Sequence, residues 1–366
     1  MLFLGIDQHS KQITVCLRNQ QGEIILRRQV STRPGKVREF FETMTAIDAE
    51  FAAIVEVCGF NDWLLSMLRE FKCRDIVLIQ PEKQDKRKTD PRDANKLCET
   101  LWINWERLRD GRRPNGMRRV YIPSTQEQEN REMTATRKQL GKMLTKTLNR
   151  IHRTLHRHNL MREYPTKTFQ TKRGRQWLAS VPLPAVDRLE MDLLLKQWEL
   201  WEEQIQKVDE KIMERAQQRH PGEIQNDVEL LQSIPGISYY SGLSLVSRIG
   251  SIDRFPRPRS LANYFGLTPG CRNSGNKQQR LGAITKQGSA IARFHLGQVV
   301  VHVLRRDRTT RDWYRKIKAR RGAKIARVAV MRRITTCIWH VLKHREPYSC
   351  GGPPSRLRKS TEPSVA

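Results

Sequence analysis

Three short apolar runs open the chain and an alternation of helix and strand follows, which confines the first hundred residues to a mixed-sheet α/β fold. Phe3, Gly5 and Asp7 share one parity, Ile13, Val15 and Leu17 share the next, and Ile24, Ile25 and Leu26 follow. Period-two runs separated by polar turns at 8–11 and 19–22 read as three strands. A helix is predicted from Pro34 (PGKVREFFETMTAI), then a strand over 52–57, a helix over 61–71, a strand over 75–79 and a helix over 91–107. Strands first, then α–β alternation, describe one mixed sheet with helices on its faces.

Four acids sit at chosen places in that pattern. Asp7 ends the first strand, Glu56 ends the fourth, and Asp90 and Asp93 open the helix in KTDPRDANKL. Asp at a helix start, Pro at its first turn and a second acid three places on is also ordinary helix-start chemistry, so the pair alone has a purely structural reading. Asp7 and Glu56 are harder to explain that way, because a carboxylate at the end of a buried strand must be solvated, paired or metal-bound. An i,i+3 pair presents both acids on one helix face. Four carboxylates could hold two Mg²⁺ ions, with Mn²⁺ as the substitute, against a phosphodiester.

Charge gives the acids a context. Lys and Arg number 68 against 38 Asp and Glu, a formal net charge of +30. Such a chain calls for a polyanionic partner. No apolar stretch reaches the ~18 residues of a membrane span, and MLFLGIDQHS enters a strand directly without the basic start of a signal peptide. The cysteines at 16, 58, 73, 98, 271, 337 and 350 form no C-x-x-C. Their odd count argues against a disulfide framework and fits a reducing cytoplasm, with the nucleoid as the site of work.

Beyond residue 126 the chain is helical and basic. RKQLGKMLTKTLNRIHRTLHRHNLMRE offers Arg150 and Arg153 to nucleic acid, and its His152, His156 and His158 read as a solvated helix surface rather than zinc ligands. Met191, Leu194, Trp198, Trp201, Ile205, Val208 and Ile212 step by three and four, a heptad seam that fits a coiled-coil dimer or a helical hairpin equally well. LLQSIPGISYYSGLSLVSRIG at 230–250 reads as a helix-hairpin-helix whose turn could offer N–H groups to phosphate, or as an ordinary αα-hairpin. A Gly-, Ser- and Asn-rich segment at 251–292 precedes basic helices over 293–345. The expected domains are therefore 1–125, an α/β domain; 126–224, a basic helical and coiled-coil region; 225–345, a small helical domain; and 346–366, a disordered tail.

These residues carry a family likeness. Asp7, Glu56 and KTDPRDA, together with IPGI, RIGSIDRF and YFGLTPGCRNSGNKQQRLGAITKQG in the second half, resemble the DEDD transposases of insertion sequences, relatives of the Piv-type invertases. The likeness covers roughly 1–105 and 225–300. It implies a RuvC-like domain of the ribonuclease H fold, with Asp7, Glu56, Asp90 and Asp93 as the metal-binding tetrad. It implies that Ser274, in RNSGN, is the serine that attacks DNA. It further implies a non-coding guide RNA pairing with donor and target DNA, and dimers that pair into tetramers in which one subunit's tetrad is completed by another's serine.

From the residues alone, a serine before glycine in such a loop is also a common turn residue, and Ser251, Ser260 and Ser289 are competitors. The setting of Ser274 is favourable: Arg272, Lys277, Arg280 and Lys286 can engage phosphates around it. The function expected is a transposase or recombinase that cuts and rejoins strands through a phosphoserine. A hydrolytic junction nuclease, and a non-catalytic nucleic-acid-binding protein, are the alternatives.

Overall fold

The structure is a computed structural model that describes residues 1–80, 90–219, 223–272 and 280–351; the side chains of 90–92, 271, 272, 280 and 281 fall outside that description. The chain divides into two compact units, Met1–Ile122 and the remainder from Pro123.

The first unit is built on a sheet of order β3-β2-β1-β4-β5. Its strands are β1 (Leu2–Gln8), β2 (Gln12–Arg18), β3 (Ile24–Ser31), β4 (Phe51–Glu56) and β5 (Asp75–Ile79). β1 pairs antiparallel with β2 and parallel with β4, so the sheet is mixed, as the sequence pattern requires. Alternation sorts the side chains onto two faces. Leu2, Leu4, Ile6, Ala53 and Val55 pack with α1 (Pro34–Ile47) and α2 (Asp62–Glu70). Phe3, Ala52 and Ile54 pack instead with α3 (Asp90–Arg109), through Ala94, Leu97, Cys98 and Leu101. Trp102 and Trp105 are packing residues there. Trp105 meets Phe3 edge-on at 5.6 Å, and Trp102 donates to the Gln20 carbonyl at 3.2 Å.

The second unit starts with α4 (Thr125–Arg157), opened by a reciprocal capping box between Ser124 and Glu127. After α5 (Lys172–Ser180), α6 (Ala185–Ala216) runs against α4. The heptad seam is spent there. Met191, Leu194 and Trp198 are buried with Ile151 and Leu155 of α4, and Trp201 donates to Thr147 at 3.2 Å. Arg137–Asp209 at 2.7 Å and Arg150–Glu190 at 2.6 Å tie the same two helices. Of the two readings of the seam, the chain realises the helical hairpin, and the seam needs no second copy to cover it. The histidines differ from expectation for the same reason. His152 packs edge-on against Phe169 at 4.6 Å, and His158 meets Asp187 at 2.7 Å, so neither is simply solvated.

The helical core that follows contains α7 (Asp227–Gln232), α8 (Tyr239–Ile249), a 3-10 turn, α9 (Pro258–Tyr264), the ribbon β6 (Pro269–Arg272) and β7 (Arg280–Ile284), α10 (Ala290–Arg306) and α11 (Arg308–His344). The α7–α8 hairpin forms as expected. Gly236 in its turn has φ +92°, and a Cβ there would lie 2.5 Å from His302 of α10. Arg248 stitches α8 to α4. It is buried, and it donates to the Thr134 hydroxyl at 3.0 Å and the Arg131 carbonyl at 3.3 Å. Burial and the nearby Arg131 charge push it down to about 10.

The expected disordered tail is held further than the sequence suggests. Buried Asp307 caps α11 and accepts from Thr310 N (2.9 Å), Thr310 Oγ1 (2.7 Å), Tyr348 OH (2.6 Å) and Gly351 N (3.0 Å). Residues 346–351 are therefore fastened to the core, while 352–366 lie outside the described residues. Burial alone would raise the Asp307 pKa, but the hydrogen bonds from Tyr348, Thr310 and Gly351 outweigh it and hold the carboxyl down at about 2, below the ordinary 3.8. A pKa lower folded than unfolded adds stability above pH ~4 that is lost as pH falls towards 2, about 2 kcal/mol in all. Urea unfolding between pH 7 and 2.5 should show this loss in the wild type and a flatter acid limb in Asp307→Asn.

Candidate nucleic-acid cleavage site

Two of the acids expected to work together, Asp7 and Glu56, lie at neighbouring strand ends. β1 and β4 run parallel with Ile6 opposite Val55, so Asp7 and Glu56 occupy the next register position at the carboxyl ends of adjacent strands. Both continue the parity of Phe3 and Ile54, the α3 face of the sheet. On α3, Asp93 lies four residues before Leu97, and Asp90 lies four before Ala94. Asp93 therefore extends the same stripe that packs on the sheet.

Gly5 is what brings that helix so close. A Cβ at Gly5 would lie 2.4 Å from the Ala94 carbonyl oxygen and 2.5 Å from the Cys98 amide nitrogen. Backbone meets backbone two residues before Asp7 and one residue after Asp93. A glycine inside an apolar strand is the usual sign of such an approach, and strand parity alone passes over it.

Two further residues escape a reading by local pattern. Asn61 is buried, and its amide nitrogen donates to Gln8 Oε1 at 2.8 Å and to the Glu56 carbonyl at 3.0 Å, while its oxygen accepts from Cys58 N at 2.6 Å. It braces the two acid-bearing strand ends against each other. His9, two residues past Asp7, places Nε2 3.1 Å from Asp7 Oδ2. Asp7 itself is 6% exposed.

Carboxylate oxygens are the hard donors a magnesium ion requires. Among the described residues, no group of three or more His, Cys, Asp and Glu closes as a metal-holding set. The Asp90 side chain lies outside the description, so the described acids form part of the expected tetrad rather than all of it.

Ser274 and Lys277 fall at 273–279, outside the described residues, on the connection between β6 and β7. The base of that ribbon is well fixed. Lys286 N donates to Gly266 O at 3.1 Å, and Arg293 Nη1 donates to the carbonyls of Phe265 (3.0 Å), Gln287 (3.4 Å) and Gly288 (3.2 Å). Lys286 itself is exposed, with φ +55°. Two competing serines have structural employment: Ser289 caps α10 by accepting from Ala292 N, and Ser251 caps the 3-10 turn. Of the arginines expected to contact nucleic acid, Arg150 is engaged with Glu190, and Arg153 lies 4.0 Å from the same carboxylate with most of its side chain exposed.

Comparison with known proteins places this arrangement. Residues 4–160, which carry all four acids, match a transposase family model of the DEDD IS110 type, and residues 228–315, which carry Ser274, match the Transposase IS116/IS110/IS902 family. The chain belongs to the IS110/IS116 family of insertion-sequence transposases. The transposase for insertion sequence element IS1111A of Coxiella burnetii is 26% identical over 95% of this chain and 91% of its own length. A Pseudomonas aeruginosa protein named "Probable family 20 transposase" is 25% identical over 95% of this chain and 98% of its own. The likeness thus runs through the basic helical middle as well as the two motif regions. As a member of that family the transposase is an enzyme of DNA cleavage and joining. Among its described residues, no helix is long and apolar enough to cross a membrane.

Proposed function

We propose that this transposase cuts and rejoins DNA through a covalent phosphoserine on Ser274, working from a RuvC-like DEDD site and directed by an RNA encoded by its own element. What supports the reading most is the placement of Asp7 and Glu56 at adjacent strand ends on the face that packs against α3, the helix whose first turn carries Asp90 and Asp93 in sequence. Those four would hold Mg²⁺, or Mn²⁺ in its place. Bound there, the ion would neutralise charge on the scissile phosphate and lower the pKa of an attacking hydroxyl. His9 orients the Asp7 carboxylate, and Asn61 keeps the two strand ends in register. Ser274 Oγ attacks phosphorus, a deoxyribose oxygen leaves, and one DNA end stays joined to the protein until a hydroxyl of the partner strand reverses the bond. Arg272, Lys277, Arg280 and Lys286 would steady the phosphates around it. A guide RNA fits the surplus of basic residues in 127–175 and 293–345. Dimers pairing into tetramers, acting on donor and target DNA at the nucleoid, complete the proposal.

The test is direct. Protein expressed with its flanking element DNA is denatured and examined for covalently attached DNA. We expect an adduct in the wild type that maps to Ser274 and is absent in Ser274→Ala. Free cut ends without an adduct, equal in both proteins, would replace this reading with a hydrolytic nuclease. Recombination that survives thorough RNase treatment would remove the guide.

A further inference from the structure

We infer that the middle of α11 is a DNA-probing arm that lies in the major groove of a B-form duplex. Helix α11 is two helices in succession, broken at Gly322 with φ +79° and ψ 165°, a backbone conformation open essentially to glycine alone. Before the break, Thr310 is buried and Trp313 and Tyr314 are partly buried against the core; after it, burial resumes at Ala326 and Val330. Between them, no residue from 315 to 325 is buried. At 1.5 Å per residue the first helix runs about 10 Å past its last packed turn. Nothing in the described protein covers the tip, and a Cβ added at Gly322 would meet no atom within 4 Å.

The charge on this arm is dense and of one sign. Arg315, Lys316, Lys318, Arg320, Arg321, Lys324 and Arg327 follow one another, and the sequence contains no acid between 313 and 345. A run of charge on a helix is most often a solvated face, and several helical cations elsewhere in this unit have acidic partners: Arg175 with Glu202, Arg188 with Asp192, Lys207 with Glu203, Lys211 with Glu214. Among the described residues, the acid that meets the arm is Asp312, which pairs with Arg308 and Arg315 at the root. Like charges at i,i+4 destabilise a helix, so a bare cationic tip is best explained by an anion that it meets.

The distribution of charge selects the partner. At about 100° per residue, Arg315, Lys316, Lys318, Arg320 and Arg321 occupy every quarter of the helix circumference. A helix lying on a flat phosphate surface needs charge on one side. A helix with phosphates on both flanks needs it all round. A B-DNA major groove about 12 Å wide admits a helix between two phosphate rows, whereas the deep, narrow major groove of A-form RNA does not. Ala319, Gly322 and Ala323 keep the tip slim.

This inference rests on the reading that the chain handles DNA, but on neither the nucleophile nor the metal. The experiment is fluorescence anisotropy of the full-length protein with a labelled duplex of about 30 base pairs and arbitrary sequence, long enough for several phosphate contacts, as DNA and as RNA, over a salt series. The variant carries Lys318→Gln, Arg320→Gln, Arg321→Gln and Lys324→Gln. The control carries the same charge change at Lys36, Lys196, Lys207 and Lys211. Each lost phosphate contact lowers the salt slope by ~0.9, so the arm variant should lose roughly 3–4 from its slope on DNA and bind roughly 100-fold or more weakly. The RNA duplex and the control should change little. Equal loss on RNA would make the arm an RNA contact. An arm variant that binds DNA like the control would make it a solvated face. Either outcome overturns the proposal and leaves the transposase reading standing, whereas a wild type that fails to bind DNA at all would overturn both. Matching melting temperatures would establish that the variants fold.

Discussion

Asp7→Asn should abolish DNA strand cleavage and leave the fold intact. The substitution keeps size and shape at a position that is 6% exposed, and an amide oxygen can still face His9. What it removes is a negative charge at the strand end next to that of Glu56, on the sheet face that packs against α3. Loss of one of four charges that are to hold a divalent ion against a phosphodiester should cost roughly a thousand-fold or more in cleavage, about 4 kcal/mol of barrier. Stability should change little, because asparagine keeps the size of the side chain and its contact with His9. Cleavage rate and melting temperature are therefore read on the same preparation. A large fall in cleavage at unchanged melting temperature supports a chemical role. Near-normal cleavage would remove Asp7 from the metal site, and with it the simplest account of why an acid ends β1.

Much of the first unit is legible in its amino-acid pattern, because the periodicities there are clean. Alternation in β1 and β2, and the strand–helix spacing that follows, determine both the elements and the parity on which Asp7 and Glu56 lie. The relation between distant elements is less legible. The heptad seam of α6 says that a helix must cover it, but its period is the same whether that helix is α4 or another chain; ion pairs such as Arg137–Asp209 decide, and only proximity reveals them. The basic helix α4 looks solvated because its sequence is polar, yet Arg150 and His158 find acids on α6. Asn61 is a further case. Its partners are Gln8, far away in sequence, and the backbone of β4, so no local pattern announces it. Ser274 is legible through resemblance alone, and the residues around it contribute a fixed ribbon base rather than a described site.

Gly5→Ala should be the most damaging single-methyl change in the first unit. Local propensity argues the opposite, since glycine inside a strand is worth about 0.5–1 kcal/mol less than alanine. Packing decides, because the atoms a Cβ would meet at 2.4 and 2.5 Å belong to the backbone of α3 and cannot swing aside as a side chain can. The helix must withdraw or the sheet must bend, and overpacking of this kind costs about 1–3 kcal/mol, here at the upper end. Gly35→Ala gives the contrast: it lies in the first turn of α1 with no atom within 4 Å of its added Cβ, and it should be neutral or slightly stabilising. Thermal melting distinguishes the two. Cleavage gives the second readout. The methyl group enters two residues before Asp7 and against the residue that follows Asp93, so any retreat of α3 separates the helix-borne acids from those on the strands. Gly5→Ala should therefore lose cleavage at temperatures where the protein is still folded, and Gly35→Ala should not. A Gly5→Ala protein that melts and cleaves like the wild type would mean that the close approach of β1 and α3 does not set the site.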